Sequence, residues 1–517
     1  MIFNSWSFAV FFPTVILLFF VLPFRYRWIL LLLASYLFYM AWRVEYAALL
    51  IFSTLIDYWC GLKMSQKEEK KDRKPYLYIS LVSNLGLLFS FKYLDFLISS
   101  TNTLFDFATI SAQIPLVHLL LPVGISFYTF QTLSYSIDLY HGNIKAEKHL
   151  GIFAVFVSFF PQLVAGPIER ASHLLPQFRE KHYFDYQRAK FGLQLMAWGF
   201  FKKLVIADRI AIVVNEVYNS PNEFSGLSIC IASVFFAFQI YCDFSAYSDI
   251  AIGAASVMGY DLMKNFNSPY FSKSISEFWR RWHISLSSWF KDYVYIPLGG
   301  NRTLKWRWYY NLFITFLISG VWHGANWTFV IWGALHGFYL VTALLLKPKS
   351  ELLYSKLGLP RKGFLYKIAH ISITFFLVVI AWVFFRANTV SDAFILFKRI
   401  ISPDFVLQVR DLLWVFKSSL LDPQGIIWNN PIQLGNEVLH IPFYEFLVAI
   451  LAILSMEIIH FLQSRYSLRL QIAKFHWTAR WILYYLFIIS IIFFGTFDSQ
   501  STFIYFLYTS IQHIVSI

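Results

Sequence analysis

Apolar segments long enough to cross a bilayer recur from one end of this chain to the other. They lie near residues 7–23, 27–42, 46–62, 76–97, 114–137, 150–165, 188–215, 227–258, 309–322, 326–346, 367–386, 441–463 and 480–497. Lipid offers no water to backbone N–H and C=O groups, so such segments must be helices or strands of a closed barrel. The two-residue alternation of barrel strands is absent, which leaves helices. Only 14% of the 517 residues are charged and 58% are hydrophobic, too little polar surface to face water all round. The expected fold is an all-α integral membrane protein with about 11–13 transmembrane or re-entrant helices and interfacial amphipathic helices. Residues 1–517 are expected to form a single membrane domain. The first segment lacks a basic n-region and a cleavage pattern, so it is read as a retained span.

In this setting a net charge of +14 points to positive-inside loops and anionic lipid headgroups rather than to nucleic acid. The basic stretch Lys63 to Lys74 is placed in the cytoplasm, Arg25 and Arg27 with it, and the uncharged N-terminus outside. The three cysteines, Cys60, Cys230 and Cys242, lie in or beside apolar segments with no CxxC spacing and are expected to pack without a disulfide. Residues 402–436, with Pro403, Pro423, Gly425, Asn429, Asn430 and Pro431, read as an extramembrane loop.

The longest interruption of the spanning pattern is 259–307. Within it Trp279, Trp282, Leu286, Trp289 and Tyr293 recur at helical spacing, which predicts one apolar stripe down one helix, either interfacial or facing the protein. His283 falls on its flank. Beyond the turn at Pro297–Arg302 comes Leu317-Ile318-Ser319-Gly320-Val321-Trp322-His323-Gly324-Ala325-Asn326-Trp327, an apolar run around one imidazole. Counted from Trp308, His323 lies about 20 Å into the bilayer. Such a group is either a structural hydrogen-bonding residue or a functional one, and its protonation switches near neutral pH, as proton transfer requires. Gly320 and Gly324 would admit a neighbouring helix or a ligand, and Asn326 and Trp327 mark a break before the next helix. The role of His336 stays open between the same two readings. Asp243 and Asp249 are expected to pair with arginines. No HExxH or paired Cys/His spacing predicts a metal, and no GxSxG or Walker loop predicts a serine hydrolase or an ATPase.

The run Phe278-Trp279-Arg280-Arg281-Trp282-His283 through Pro297-Leu298-Gly299-Gly300-Asn301-Arg302, together with Gly320-Val321-Trp322-His323-Gly324-Ala325-Asn326-Trp327, resembles the signature of membrane-bound O-acyltransferases. Phe127-Tyr128-Thr129-Phe130-Gln131-Thr132-Leu133-Ser134-Tyr135 and Gln162-Leu163-Val164-Ala165-Gly166-Pro167-Ile168-Glu169-Arg170 resemble its bacterial alginate O-acetyltransferase branch. The resemblance covers residues 1–400 well, with core motifs in 120–340, and the helices of 400–517 loosely. It implies helices ringed about a central funnel and tunnel, and transfer of an acyl group, acetyl in this branch, from a cytoplasmic thioester such as acetyl-CoA to a hydroxyl. No permanently bound cofactor or metal is implied. His323 matches the family's catalytic histidine and His283 its second polar position. Trp282, Trp322 and Asn326 would shape the substrate path, and Arg302 and Lys305 would attract donor phosphates. The resemblance further implies a multi-pass protein of the bacterial inner membrane that serves acetylation of an extracytoplasmic polysaccharide such as alginate with a separate acetyltransferase partner protein. D-alanyl transfer and peptidoglycan O-acylation are alternatives within the family. Outside it, a transporter or flippase of envelope precursors would move solute without acyl transfer, and a scaffold would be indifferent to loss of His323.

Overall fold

A computed structural model describes residues 1–356, 363–422 and 425–497. Among these, almost all ordered segments are helices, in keeping with an all-α membrane protein. Six helices are long and apolar enough to cross a bilayer: Ala47–Ser65, Gly226–Met258, Trp327–Lys349 (within Trp327–Lys356), Phe364–Arg386, Phe443–Gln463 and Trp477–Phe494. A seventh candidate is the pair Lys70–Lys92 and Leu94–Phe107, bent by 57° at Tyr93. Several other expected spans are shorter or interrupted, and prolines account for two of them. Pro115 and Pro122 keep residues 111–122 out of a helix, so only Ile125–His141 of the 114–137 segment is helical. Pro161 stops the 150–165 segment at Leu150–Ser158. The non-helical stretch is tied down by the bent helix: Asp95 accepts from the N–H groups of Val117 and His118 at 2.8 and 2.9 Å.

Gly226–Met258 forms the central rod. Gly192 and Gly199 of helix Tyr186–Phe200 bring that helix against it so closely that a Cβ at Gly192 would sit 2.6 Å from the Gly253 carbonyl oxygen. Small residues at crossings are how membrane helices gain packing contacts when lipid gives no hydrophobic drive. Tyr186–Phe200 runs on through a π-helical turn, Phe201–Ala207, into Asp208–Asn219. On that turn Lys202 pairs with Asp249 at 2.7 Å, and Lys203 pairs with Asp243 at 2.6 Å and Asp208 at 2.9 Å. The two aspartates are thus paired with lysines, not with the arginines expected from sequence. Asp57, also buried, accepts from Ser80 at 2.5 Å and from Asn84 at 2.9 and 3.0 Å. These contacts satisfy charges that would otherwise be too costly inside lipid.

The 402–436 region is more ordered than a loop. It holds helix Phe405–Leu420 and the strand Pro431–Leu434, which pairs antiparallel with Glu437–Pro442 across a two-residue turn where Gly435 has φ +65°. Alternation along the hairpin buries Ile432, Leu434, Leu439 and Ile441. Glu437 accepts from Ser225 and Ser228 at 2.5 and 2.6 Å, which fastens the hairpin to the start of the central rod. The three cysteines are free.

Candidate active site

Helix Lys305–His323 ends on the histidine itself. Gly324 is extended, the Asn326 side-chain oxygen accepts from the Thr328 N–H at 3.0 Å, and the next helix begins at Trp327, so the break lies where the sequence placed it. The two helices form a tight hairpin. A Cβ on Gly320 would lie 2.4 Å from the Phe329 carbonyl oxygen and 2.9 Å from the Gly333 Cα. His323 is therefore held at a helix terminus whose direction is set by glycine contacts. The residue as a whole is half-buried but its Nε2 is buried, with Trp322, Trp332 and Phe385 at 4.9, 4.9 and 5.4 Å between ring centroids.

The stripe of 279–293 is not one helix. It runs as Ile275–Arg281, breaks at Trp282 and His283, and resumes as Ile284–Phe290 and a π turn, Lys291–Tyr295. Ser274 caps the first piece through the Glu277 N–H at 3.2 Å. The stripe faces the protein rather than the bilayer surface: Trp279, Trp282, Leu286 and Trp289 are buried. Trp289 stacks on Phe130 at 3.8 Å, and its indole N–H donates to the Phe130 carbonyl at 2.8 Å. At the break His283 adopts φ +43°, a left-handed conformation uncommon for a residue with a Cβ, and its side chain is fully buried. Backbone strain of this kind persists only where the surroundings over-determine it.

Asn265 supplies much of that determination. Its carbonyl oxygen accepts from the Ile284 N–H at 2.9 Å, and its side-chain oxygen meets His283 Nδ1 at 3.0 Å, Ser285 Oγ at 3.0 Å and the Ser285 N–H at 3.3 Å. A backbone N–H can only donate, so the shared side-chain atom is oxygen and His283 carries its proton on Nδ1. The other ring nitrogen, Nε2, is buried with no hydrogen-bond partner among the described residues, and in the neutral ring it is an acceptor. Ser285 Oγ in turn accepts from the Ile168 N–H at 3.0 Å, which brings the 162–170 motif to the same place.

The four motifs therefore converge. Phe127 and Trp322 lie 6.3 Å from the His283 ring, Phe130 lies 5.1 Å from Trp322, and Trp382 bridges Trp282 at 5.1 Å and Trp332 at 5.8 Å. His283, His336 and Lys92 all stand within electrostatic reach of His323. His336 is engaged by the Trp279 indole N–H, which donates to its Nδ1 at 3.2 Å. Among the residues singled out from sequence, His323, His283, Trp282 and Trp322 come together. Asn326 sits on the same end of the hairpin, with its amide N–H on the Asn388 carbonyl at 3.0 Å. Arg302 and Lys305 are exposed at the opposite end, about 27 Å away along the helix. Sequence reasoning missed Asn265, Lys92 and Trp382. A lysine ending an apolar run is the one signal that could have drawn attention to Lys92. Among the described residues, no group of three His, Cys, Asp or Glu side chains is placed to hold a metal ion.

Comparison with known proteins now adds to this geometry. Residues 147–385 match the model of the membrane-bound O-acyltransferase family. The chain is 42% identical over 396 residues to the Pseudomonas syringae protein named "Probable alginate O-acetylase AlgI", covering 76% of this chain and 74% of that one. It is 38% identical over 397 residues to the Helicobacter pylori "Peptidoglycan O-acetyltransferase", covering 72% of this chain and 73% of the relative. It is also 30% identical over 230 residues to the Bacillus subtilis "Teichoic acid D-alanyltransferase", covering 41% and 56%. A multi-pass membrane O-acyltransferase with both histidine motifs inside or beside its best-matched region, the chain belongs to the membrane-bound O-acyltransferase family.

Proposed function

We propose that this O-acyltransferase takes an acetyl group from a thioester donor, acetyl-CoA or a related acyl thioester, and passes it to a hydroxyl at His323 for O-acetylation of an extracytoplasmic polysaccharide. The observation that carries this reading is the convergence on the Trp322 ring of His323, at 4.9 Å, and of a His283, at 6.3 Å, whose Nδ1 proton is committed to Asn265. His323 acts as general base. The acceptor oxygen attacks the carbonyl carbon while its proton moves to the imidazole, and the departing thiolate then takes that proton back. His283 presents Nε2 as an acceptor, so it holds a neighbouring hydroxyl of the acceptor, leaving the attacking O–H to His323, and does not donate to an oxyanion. The aromatic walls, Trp282 and Trp322 among them, exclude the water that would hydrolyse the thioester, and Asn326 holds the rim of the site. Arg302 and Lys305 offer exposed positive charge to donor phosphates on the cytoplasmic side of a bacterial inner membrane, about 27 Å from the reacting atoms. A separate extracytoplasmic acetyltransferase completes delivery to the polymer.

The relatives named for alginate support acetyl and a polysaccharide, and the one named for teichoic acid supports D-alanyl as a second reading. Mass spectrometry of envelope polysaccharides from a deletion strain distinguishes them, with loss of O-acetyl esters expected. His323→Ala, expressed and folded, should fail to restore those esters. Unchanged acetylation in the deletion strain, or full restoration by His323→Ala, refutes the proposal.

A further inference from the structure

One buried charge near His323 has no part in the mechanism above. Helix Lys70–Lys92 stops at Lys92, and the 57° bend at Tyr93 turns that side chain inward instead of letting it reach the bilayer surface. Lys92 is only 8% exposed. Its ammonium donates to the Trp322 carbonyl at 2.5 Å and to Ser126 Oγ at 3.2 Å, and it lies 5.6 Å from the Trp322 ring and 5.9 Å from that of Tyr93. Among the described residues no carboxylate pairs with it. The other buried lysines, Lys202 and Lys203, each have aspartate partners. An ammonium has three N–H donors, and two are used, so one remains. Trp322 is the residue before His323, and its carbonyl lies in the last turn of the helix. A desolvated cation is thus anchored one peptide unit from the proposed base, lacks a protein anion, and keeps one donor.

We propose that Lys92 stabilises the negative charge that forms on the thioester carbonyl oxygen during acyl transfer. This rests on the reading of His323 as the base. When the acceptor oxygen bonds to the carbonyl carbon, the acceptor proton goes to His323 and the carbonyl electron pair moves onto oxygen. The remaining Lys92 N–H donates to that oxygen. Collapse re-forms the carbonyl, breaks the C–S bond and releases a thiolate that is protonated from His323. The role falls to Lys92 because His283, with its proton on Nδ1, presents an acceptor at Nε2. A fixed donor in a site closed to water is worth far more than the same donor in solution.

The test uses the purified full-length protein and cleavage of labelled acetyl-CoA, with a uronic-acid oligosaccharide supplying the hydroxyl. Lys92→Gln keeps an N–H for the Trp322 carbonyl but loses the charge, and Lys92→Arg keeps the charge. The expected result is a fall in kcat of about a hundredfold for Lys92→Gln, with KM for acetyl-CoA within about threefold and thermal stability near wild type. Lys92→Arg should recover to within about tenfold of wild type. Near-normal kcat for Lys92→Gln overturns the proposal. So does a loss that tracks unfolding and is not recovered by arginine, which would mark a structural role. A rise in KM for the acidic oligosaccharide alone also overturns it, because the charge would then serve the acceptor carboxylate. If His323→Ala is inactive while Lys92→Gln is active, only the lysine assignment fails. Activity in His323→Ala removes the reading beneath it.

Discussion

Replacing Asn265 with alanine tests whether the second histidine works only when its ring is held. The substitution keeps the backbone bond from the Ile284 N–H and removes the side-chain oxygen shared by His283 Nδ1, Ser285 N–H and Ser285 Oγ, as well as the amide that donates to Ser248 Oγ at 3.1 Å. The serine hydroxyls can rotate to other partners. The Ser285 N–H and the His283 Nδ1–H cannot, and each buried donor left unsatisfied costs about 1–3 kcal/mol. The variant should therefore lose about 2–6 kcal/mol of stability while keeping the left-handed turn at His283. Freed from Asn265, the ring no longer aims Nε2, and misorientation of this kind lowers turnover by about a hundredfold. The assay is thermal unfolding by tryptophan fluorescence beside labelled acetyl transfer, for Asn265→Ala, His283→Ala and the double variant. If Asn265 acts through His283, the double variant should transfer acetyl about as slowly as His283→Ala alone. Wild-type stability and turnover in Asn265→Ala, or two losses that simply multiply, would refute the argument.

Gly320→Val should lower the unfolding temperature, because its side chain must enter space already filled by the Phe329 carbonyl and Gly333; overpacking of this kind costs about 1–3 kcal/mol. Gly86→Ala is the control, since a Cβ there meets nothing within 4 Å, and unfolding measured side by side should show only the first variant shifted. Outside the membrane-spanning segments, the buried Glu169 carboxylate bonds His173 Nδ1 at 2.8 Å and Asp261 approaches Nε2 at 3.5 Å, which together raise the His173 imidazole above the usual histidine range. A raised folded-state value stabilises fully below about pH 6.5 and is lost as pH climbs through that raised value. Thermal unfolding from pH 5.5 to 9 should show this decline in the wild type and a flatter profile in His173→Gln.

The helical class and the break at His323–Asn326 were legible because hydrophobic runs and a Gly-x-Asn interruption are local signals. The interruption at Trp282–His283 was not. Both halves of the stripe bury the same kind of residue, so apolar spacing carries no trace of two residues leaving the helix between them. Asn265 sits in a polar stretch with no periodic pattern, and its importance arises only when 265 meets 283–285 in space. Lys92 lies near the end of the 76–97 run, a position from which long side chains commonly reach the headgroups; the bend at Tyr93 turns it inward instead. The prolines that interrupt 114–137 and 150–165 were visible in the sequence, yet the apolar count outweighed them. The hairpin within 402–442 was hidden because turn residues dominate its neighbourhood and its strands are short. The partners of Asp243 and Asp249 were misjudged because Lys202 and Lys203 lie on a turn that departs from the 3.6-residue period on which facing positions are reckoned.

That wide turn at Phe201–Ala207 also acts as a phase adjuster. Forcing its seven residues into ordinary pitch at unchanged length would rotate everything beyond by one residue's step, on the order of 100°. Asp208, paired with Lys203, and Arg209, paired with Glu445 at 3.1 Å, would swing out of alignment while the preceding helix stayed seated on its glycines. The ion pairs of Lys202 and Lys203 thus fix not only which side chains this segment carries but the pitch at which it carries them.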